Sequence, residues 1–151
     1  DEIMKSIHAR SRDNARTPMQ WDKGENLGFS AGKAEDLYLP VDPNPGNATV
    51  ADQEADPDSM LNHIRRVLAV RKEYAGLGNY SPFKPYYVEK GDRLFAYKRG
   101  DMLLAVNPGL EQKVLTLDGA YESVFTFGEA AAVGEKLSVG PQSFVIMKPI
   151  K

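Results

Sequence analysis

The chain has 151 residues, and its 19 Lys and Arg nearly balance its 21 Asp and Glu, for a formal net charge of −2. Because nucleic acids and anionic membranes attract basic surfaces, this balance argues against either as the main partner. Cysteine is absent, which excludes disulfides, a thiolate nucleophile and thiolate metal ligands and fits a cytoplasmic protein. No apolar run approaches the roughly 18 residues of a membrane-spanning helix.

Length limits the architecture to one ordinary domain, or to one small domain with an appended segment. A complete (β/α)₈ barrel needs roughly 250 residues, so the chain cannot hold one. The chain begins with Asp1 and its N-terminus lacks the pattern of a signal peptide. We therefore expect it to be part of a longer polypeptide.

The first third is predicted to be a long loop. From Ser11 to about Ala55 the chain is rich in Gly, Pro, Asn and Asp, with little hydrophobic periodicity. Pro40, Pro43 and Pro45 exclude a helix or a central strand around them. So long a loop is typical of a functional segment laid over a scaffold.

One long helix is predicted from about Pro57 to Tyr74. Asp56 suits the N-cap, Pro57 the first helical position, and Gly76 the position after the last turn. An apolar stripe repeats at steps of three and four and comprises Met60, Leu61, Ile64, Val67, Leu68 and Tyr74. Because a helix alone is unstable, we expect the 57–74 helix to bury this stripe on the following domain or on a second copy of the chain.

From about Tyr80 onward the sequence predicts short strands separated by turns. They cover residues 86–89, 94–98, 102–106, 114–117, 121–126, 136–139 and 143–148. Three hairpins are predicted, which pair 94–98 with 102–106, 114–117 with 121–126, and 136–139 with 143–148. Short strands at this spacing predict an antiparallel sandwich or barrel.

Residues 11–22 carry the most specific signal. They read Ser-Arg-Asp-Asn-Ala-Arg-Thr-Pro-Met-Gln-Trp-Asp and closely resemble a segment near the end of the catalytic barrel in oligo-1,6-glucosidases and related enzymes of the α-amylase family. Residues 26–30, 39–44 and 56–72 resemble the family's next segments, in the same order. Residues 48–52 depart from the family's usual Ile-Asn-Val-Glu, and Leu27 replaces a commoner Ala, which leaves the exact substrate open.

The resemblance implies a mainly β chain with one long helix. Residues 1–78 would be the C-terminal remnant of the catalytic barrel, a long loop and its last helix, and residues 79–151 a C-terminal antiparallel β-sandwich. The parent enzyme would be a retaining, exo-acting α-glucosidase that hydrolyses short oligosaccharides without a cofactor. The family's catalytic acids precede this segment, so the chain alone is expected to be inactive and to stabilise the barrel, its partner.

Arg16 is the main candidate for substrate contact. In the family an arginine matching the Ala-Arg-Thr-Pro of residues 15–18 lies at the pocket for the terminal glucose, and a guanidinium can bind a carboxylate and sugar hydroxyls together. Arg12 is the second candidate, with a structural role as its alternative. Trp21, the only tryptophan, is predicted to be packed core, with sugar stacking as the alternative.

No catalytic or metal-binding residue is predicted in the chain. Asp56 with Asp58, and Asp13 with Asp22, are the nearest pairs of carboxylates of the kind that glycoside hydrolysis needs. Helix capping explains the first pair, and the second has no acid or nucleophile role in the family. The two histidines are isolated from other metal-binding side chains.

Two other functions remain open. The first is a stand-alone carbohydrate-binding β-domain, in which Tyr80, Phe83, Tyr86 and Tyr87 would form an aromatic platform, although sandwich core is the favoured role for them. The second is a non-catalytic structural fragment that self-associates. Within the glucosidase assignment, oligo-1,6-glucosidases, dextran glucosidases, trehalose-phosphate hydrolases and sucrose-isomerising relatives are not distinguished.

Overall fold

The computed structural model describes residues 1–10, 16–44 and 46–150. The chain divides into two compact units, residues 1–62 and residues 63–151. This division falls inside the predicted long helix. The predicted domain boundary after residue 78 stays a prediction.

The first unit is built from short helices joined by loops. Its elements are helix α1 (Glu2–Arg10), 3₁₀ turns at Glu25–Gly28 and Ala34–Asp36, helix α2 (Val50–Ala55) and the start of helix α3 (Met60–Glu73). From residue 16 to residue 49 the described chain forms no strand, which agrees with the predicted loop. None of the described helices is long and apolar enough to cross a membrane.

Helix α2 lies at the end of the predicted loop and was not predicted, although the sequence carries its signal. The Thr49 hydroxyl accepts the backbone N–H of Asp52 at 3.1 Å, and the Asp52 carboxylate accepts the backbone N–H of Thr49 at 3.1 Å. This reciprocal capping box satisfies two backbone donors that the first turn would otherwise leave unpaired.

The predicted start of α3 at Pro57, with Asp56 as its N-cap, was wrong. Asp56 follows α2, and its carboxylate accepts the N–H of Asp58 at 2.9 Å within a turn. The cap of α3 is Ser59, whose hydroxyl accepts the N–H of Asn62 at 3.2 Å. Asp56 and Ser59 are both suitable N-cap residues. Because Asp56 is used in the turn that follows α2, the helix begins after Ser59.

The second unit consists of the rest of α3, a 3₁₀ turn at Ala75–Leu77 and eight strands in the described residues. These are β1 (Phe83–Val88), β2 (Phe95–Arg99), β3 (Met102–Asn107), β4 (Lys113–Thr116), β5 (Tyr121–Phe127), β6 (Ala130–Val133), β7 (Lys136–Val139) and β8 (Ser143–Pro149). They form a five-stranded sheet in the order β1-β2-β3-β8-β5 and a three-stranded sheet in the order β4-β7-β6. Every neighbouring pair is antiparallel.

One of the three predicted hairpins is confirmed. β2 pairs with β3 around Gly100, whose φ of 59° favours glycine. The other two pairings were wrong, because β4 pairs with β7 and β5 pairs with β8, in different sheets. A glycine-containing turn looks the same in sequence whether the chain reverses within a sheet or crosses to another. β6 was missed because its three alanines have low strand propensity.

The main core lies between the two sheets and consists of buried side chains. Its members are Leu94, Ala96, Leu103, Ala105, Leu115, Leu117, Leu137, Val139, Val145 and Met147. Asn107 of β3 is fully buried beside it, and its amide donates to the carbonyl oxygens of Val139 at 3.1 Å and Gly140 at 2.8 Å. One buried polar side chain therefore joins a strand of the five-stranded sheet to the end of β7.

Helix α3 packs on the five-stranded sheet through Tyr74, which belongs to the predicted apolar stripe, and through Val70, which does not. Val70 and Tyr74 lie against buried Met102 and Ile146. The other side of the helix is open, with Met60, Ile64 and Leu68 exposed at 61%, 50% and 48%. Burial of the whole stripe within one chain was therefore a wrong prediction, whereas burial on a second copy stays a prediction. Leu68 and Tyr74 of the stripe lie about 120° apart around a helix, so a flat sheet that packs on Tyr74 leaves Leu68 uncovered.

Asp92 gives the β-sheet unit a defined acid sensitivity. Its carboxylate accepts the Leu94 N–H at 3.1 Å and the Tyr87 hydroxyl at 2.8 Å, and lies 3.4 Å from the Lys113 ammonium. These contacts lower the pKa of Asp92 to about 2. In an unfolded chain the pKa of an aspartate is about 3.9. The contribution of Asp92 to stability is therefore complete above about pH 4 and is lost as the pH falls towards 2.

We expect Asp92→Asn to lower the urea midpoint of unfolding at pH 7 and to flatten its fall between pH 4 and pH 2. The reason is that the amide keeps the shape of the side chain but neither carries the charge nor titrates. Urea midpoints at pH 2, 3, 4 and 7 measure the effect. Glu135→Gln, on the exposed β6–β7 turn, is the control and should keep the wild-type slope. An equally steep fall in Asp92→Asn contradicts the assignment.

Candidate functional site

Arg16 lies at a pocket of the first unit. The pocket has a volume of about 510 Å³ and is lined by Arg16, Thr17, Pro18, Met19, Phe29, Leu37, Tyr38 and Leu39. This volume lies in the range of small-molecule sites. Pro18 is buried, whereas Phe29 and Tyr38 expose 48% and 84% of their surface. One cation beside two aromatic rings suits a ligand with both apolar faces and hydroxyl groups, such as a sugar.

The loop that carries Phe29 is held by one buried amide. The Asn26 side chain donates to the carbonyl oxygens of Ser30 at 3.1 Å and Gly32 at 2.6 Å. Asn26, Leu27 and Gly28 all have positive φ, at 49°, 56° and 70°. Such a run is unfavourable for residues other than glycine, so the amide bonds help to hold a turn that the backbone alone disfavours.

Gly28 is required at its position for a second reason. A Cβ there would lie 2.6 Å from the Asp22 carboxylate, far inside van der Waals contact. The same carboxylate accepts the N–H of Gly24 at 2.7 Å. Asp22 at the end of the 11–22 motif and Gly28 in the following segment thus fit together, which gives two residues of the family resemblance a steric explanation.

The end of the motif is also tied to α2 by the backbone. The N–H of Val50 donates to the Gln20 carbonyl at 3.0 Å, and the N–H of Ala51 donates to the Trp21 carbonyl at 2.9 Å. Lys23 lies 2.8 Å from the Asp52 carboxylate, and this contact, with the Thr49 hydrogen bonds, lowers the pKa of Asp52. The segment that leads out of the pocket is therefore anchored at the N-terminus of a helix.

The other candidate residues from the sequence do not gather at the Arg16 pocket. Arg12 and Asp13 fall in residues 11–15, outside the described residues. Trp21 is 49% exposed, so its prediction as packed core was wrong in this structure. The pair Asp56 and Asp58 forms a turn, as described above. Among the described residues no group of three or more His, Cys, Asp or Glu could hold a metal ion, and the described lining of the Arg16 pocket contains no carboxylate.

The four aromatic residues considered for a carbohydrate platform do not form one exposed surface. Tyr86 and Tyr87 pack against the core between the sheets. Phe83 is 53% exposed and Tyr80 is fully exposed. Sequence reasoning also missed Tyr38 and treated Phe29 only as part of a motif. The Asn-Leu-Gly run before Phe29, with its left-handed turn residues, was the signal that could have identified a shaped loop there.

The family profile described as the catalytic domain of alpha-amylase matches residues 1–79, which include the Arg16 pocket and helix α3. The chain belongs to the alpha-amylase family. The motif resemblance is therefore confirmed. The match ends just before β1, so the eight strands lie outside the part of the chain that this profile describes.

The curated relatives of this chain include two 1,6-glucosidases. The chain is 38% identical over 146 residues to the glucan 1,6-alpha-glucosidase of Streptococcus pneumoniae, which covers 93% of this chain and 26% of that enzyme. It is 40% identical over 112 residues to the probable oligo-1,6-glucosidase 2 of Bacillus subtilis, which covers 71% of this chain and 19% of that protein. The chain thus spans about a quarter or less of the length of these relatives.

Solved structures of a trehalulose synthase and an isomaltulose synthase share the fold. The trehalulose synthase MutB from Pseudomonas mesoacidophila MX-45 superposes with a TM-score of 0.74 at 28% identity, covering 97% of this chain and 27% of that one. The isomaltulose synthase mutant D241A from Erwinia rhapontici NX5, in complex with D-glucose, gives a TM-score of 0.73 at 27% identity, covering 93% and 26%. Sequence identity is higher to the glucosidases than to these two enzymes.

Gly28→Ala should destabilise the first unit by more than the roughly 1 kcal/mol that a left-handed backbone costs a residue with a Cβ, because the new methyl group would also meet the Asp22 carboxylate. Thermal unfolding of Gly28→Ala, Asp22→Ala and the double variant forms a cycle that isolates this contact. We expect part of the Gly28→Ala loss to disappear when Asp22 is already alanine. Strictly additive losses would contradict the steric explanation. Gly91→Ala, at a φ of 87° with open space around it, measures the backbone cost alone.

Proposed function

We propose that the chain forms the end of the catalytic barrel and the C-terminal β-sandwich of a retaining, exo-acting α-glucosidase. The substrates would be short oligosaccharides with α-1,6-linked or related glucosyl ends. The observation that carries this proposal is the position of Arg16 at an aromatic-walled pocket inside the segment matched by the family's catalytic domain. The 1,6-glucosidase names of its relatives support the linkage.

In this proposal Arg16 orients the terminal glucose. Its planar guanidinium can donate to a sugar hydroxyl and to a carboxylate of the barrel at the same time. The rings of Phe29 and Tyr38 offer apolar faces for the sugar. Arg12 remains the second candidate substrate contact. No cofactor takes part, and cytoplasmic localisation stays a prediction from the sequence.

The chain supplies no catalytic acid in this proposal. A retaining glycosidase needs a nucleophile and a general acid whose carboxyl groups lie about 5–5.5 Å apart. The described lining of the Arg16 pocket contains no carboxylate, so both would come from the remainder of the barrel. Residues 1–78 would complete that barrel and residues 79–151 would form the sandwich. The buried cluster shared by the two sheets supports the sandwich assignment.

Sucrose isomerisation is the second candidate for the parent enzyme. The shared fold with trehalulose and isomaltulose synthases favours it, whereas the higher identity to 1,6-glucosidases favours hydrolysis. A stand-alone carbohydrate-binding domain is less well supported, because Tyr86 and Tyr87 of its predicted platform are taken up by the core.

A chimaera tests the role of Arg16. It consists of the Streptococcus pneumoniae relative with its aligned C-terminal quarter replaced by this chain. We expect the chain alone to be inactive, the chimaera to hydrolyse isomaltotriose, and Arg16→Lys to lower its kcat/KM about 10- to 100-fold, because a lost charged hydrogen bond costs about 1.5–3 kcal/mol. Steady-state kinetics with isomaltotriose and with sucrose measure hydrolysis and isomerisation separately.

Lys33→Arg is the control, because Lys33 lies in the same unit on an exposed ion pair with Glu35, 3.4 Å away. It should leave kcat/KM within about twofold, as expected for an exposed pair. If the Arg16→Lys chimaera is as active as the control, Arg16 does not contact the substrate and this part of the proposal is wrong. Conversion of sucrose to isomers without hydrolysis of isomaltotriose would favour the second candidate.

A further inference from the structure

The chain has no cysteine, so its sulfur groups are five methionines, all within the described residues. Their exposure differs sharply. Met102 and Met147 are 2% and 0% exposed, whereas Met4, Met19 and Met60 are 49%, 52% and 61% exposed. Oxidation of sulfur follows the access of the oxidant to it. An oxidant in solution therefore reaches three of these thioethers and not the other two while the fold is intact.

Met19 differs from the other exposed methionines in its position at the Arg16 pocket. It belongs to the described lining of that pocket, whereas the other two lie on α1 and α3. Most of the lining is apolar. Its side-chain hydrogen-bond donors in the described residues are the guanidinium of Arg16 and the hydroxyls of Thr17 and Tyr38. The Met19 thioether thus forms part of an apolar wall in a pocket with few polar groups.

The backbone holds Met19 on both sides. Pro18 before it is buried and has a fixed φ. The carbonyl oxygen of Gln20 after it accepts the N–H of Val50 at 3.0 Å. Because both neighbours are held, the Met19 backbone has little freedom to leave the pocket when the chemistry of its side chain changes.

We propose that Met19 is a site of reversible oxidation that controls substrate binding at the Arg16 pocket. The inference rests on the proposed function, which makes this pocket the substrate site. The oxidant is a hydroperoxide, with hydrogen peroxide as its simplest member. Hydrogen peroxide is much smaller than an oligosaccharide, so a pocket that admits the substrate from solution also admits the oxidant.

The modification transfers one oxygen atom. The sulfur of Met19 attacks the peroxide, the O–O bond breaks and an S=O bond forms. Sulfur loses two electrons, the peroxide gains them, and its second oxygen leaves as water. Sulfoxide reductases reverse the step, one enzyme for each epimer of the sulfoxide, and a thiol supplies the two electrons that they need.

Oxidation converts an apolar part of the pocket wall into a polar one. The new oxygen accepts hydrogen bonds, and in an apolar wall it is costly unless it finds a donor. Arg16 is the charged donor in the described lining, and charged donors form the stronger hydrogen bonds. The sulfoxide oxygen therefore competes with the sugar for the Arg16 guanidinium. Because the chain supplies no catalytic acid in the proposed function, the effect falls on KM more than on kcat.

Peptide mass spectrometry measures the modification itself. Trypsin places the five methionines in five different peptides, so each oxidation can be followed separately in hydrogen peroxide. In the isolated chain Met19 should react about as fast as Met60 and at least ~10-fold faster than Met102 and Met147, which react only when the fold opens. In the chimaera Met19 should remain reactive. A saturating concentration of glucose should slow its oxidation there and leave that of Met60 unchanged.

Steady-state kinetics of the chimaera measure the consequence. Peroxide treatment should raise KM for isomaltotriose about 5- to 10-fold, which is the scale of one hydrogen bond, and should change kcat less. Methionine sulfoxide reductases with dithiothreitol should restore the original KM. Met19→Gln, which carries an amide oxygen in place of the sulfoxide oxygen, should raise KM without any peroxide.

Two variants separate Met19 from the other methionines of the chimaera. In each of them KM is compared before and after peroxide. Met19→Leu keeps the volume of the side chain but has no sulfur, and it should lose most of the peroxide effect on KM. Met60→Leu removes an equally exposed thioether outside the pocket and should keep the full effect.

Two results overturn the inference while the proposed function stands. One is a chimaera that hydrolyses isomaltotriose but whose Met19 does not react with peroxide. The other is a Met19→Leu chimaera whose KM rises after peroxide as much as that of the unsubstituted chimaera. If the untreated chimaera does not hydrolyse isomaltotriose, the proposed function is wrong, and protection by glucose decides the inference. Slower oxidation of Met19 with glucose then retains Met19 at a sugar site, and an unchanged rate rejects it.

Discussion

The five-stranded sheet has to bury its apolar inner face, and this requirement organises the whole second unit. Its inner face is closed by the three-stranded sheet, so the chain has to pass between the two sheets repeatedly rather than fold into successive hairpins. The connections after β4 and β7 make such crossings. Asn107 stabilises the junction, because its buried amide would be costly without the carbonyl oxygens that it reaches near the end of β7.

The first unit is held together in a different way. Its described loops have few buried apolar side chains and depend on local polar contacts. Asn26 fixes the turn before Phe29, and the Asp42 carboxylate accepts from the N–H of Asn44 at 2.9 Å and from the Asn47 amide at 2.7 Å. Such loops acquire a definite shape without a core of their own. That arrangement suits the proposed binding site, since side chains that contact a ligand have to be exposed and yet held in place.

The sequence predicted the elements better than it predicted how they pack. Strands such as β3 and β8 were recognisable because their apolar runs are bounded by turns. Which strands pair was not, since the turns before β5 and before β8 carry no mark of a crossing between sheets. The proposed role of Arg16 came from the family resemblance, because nothing in the periodicity around it indicates a pocket. Tyr38 joins that pocket only through the course of a long loop, which no local pattern describes.

Helix α3 explains why the limits of the units and of the family match do not coincide. The compact units divide after residue 62, whereas the catalytic-domain match continues to residue 79. Val70 and Tyr74 of α3 contribute to a cluster with the five-stranded sheet, while Ile64 and Leu68 remain exposed on another side of the helix. A helix of the catalytic domain thus serves as a layer of the β-unit, and it presents a second apolar side that the β-unit cannot cover. An element with two apolar sides is expected between two layers. The exposed side of α3 is therefore the part of the helix that the β-unit leaves without a covering layer in the described residues.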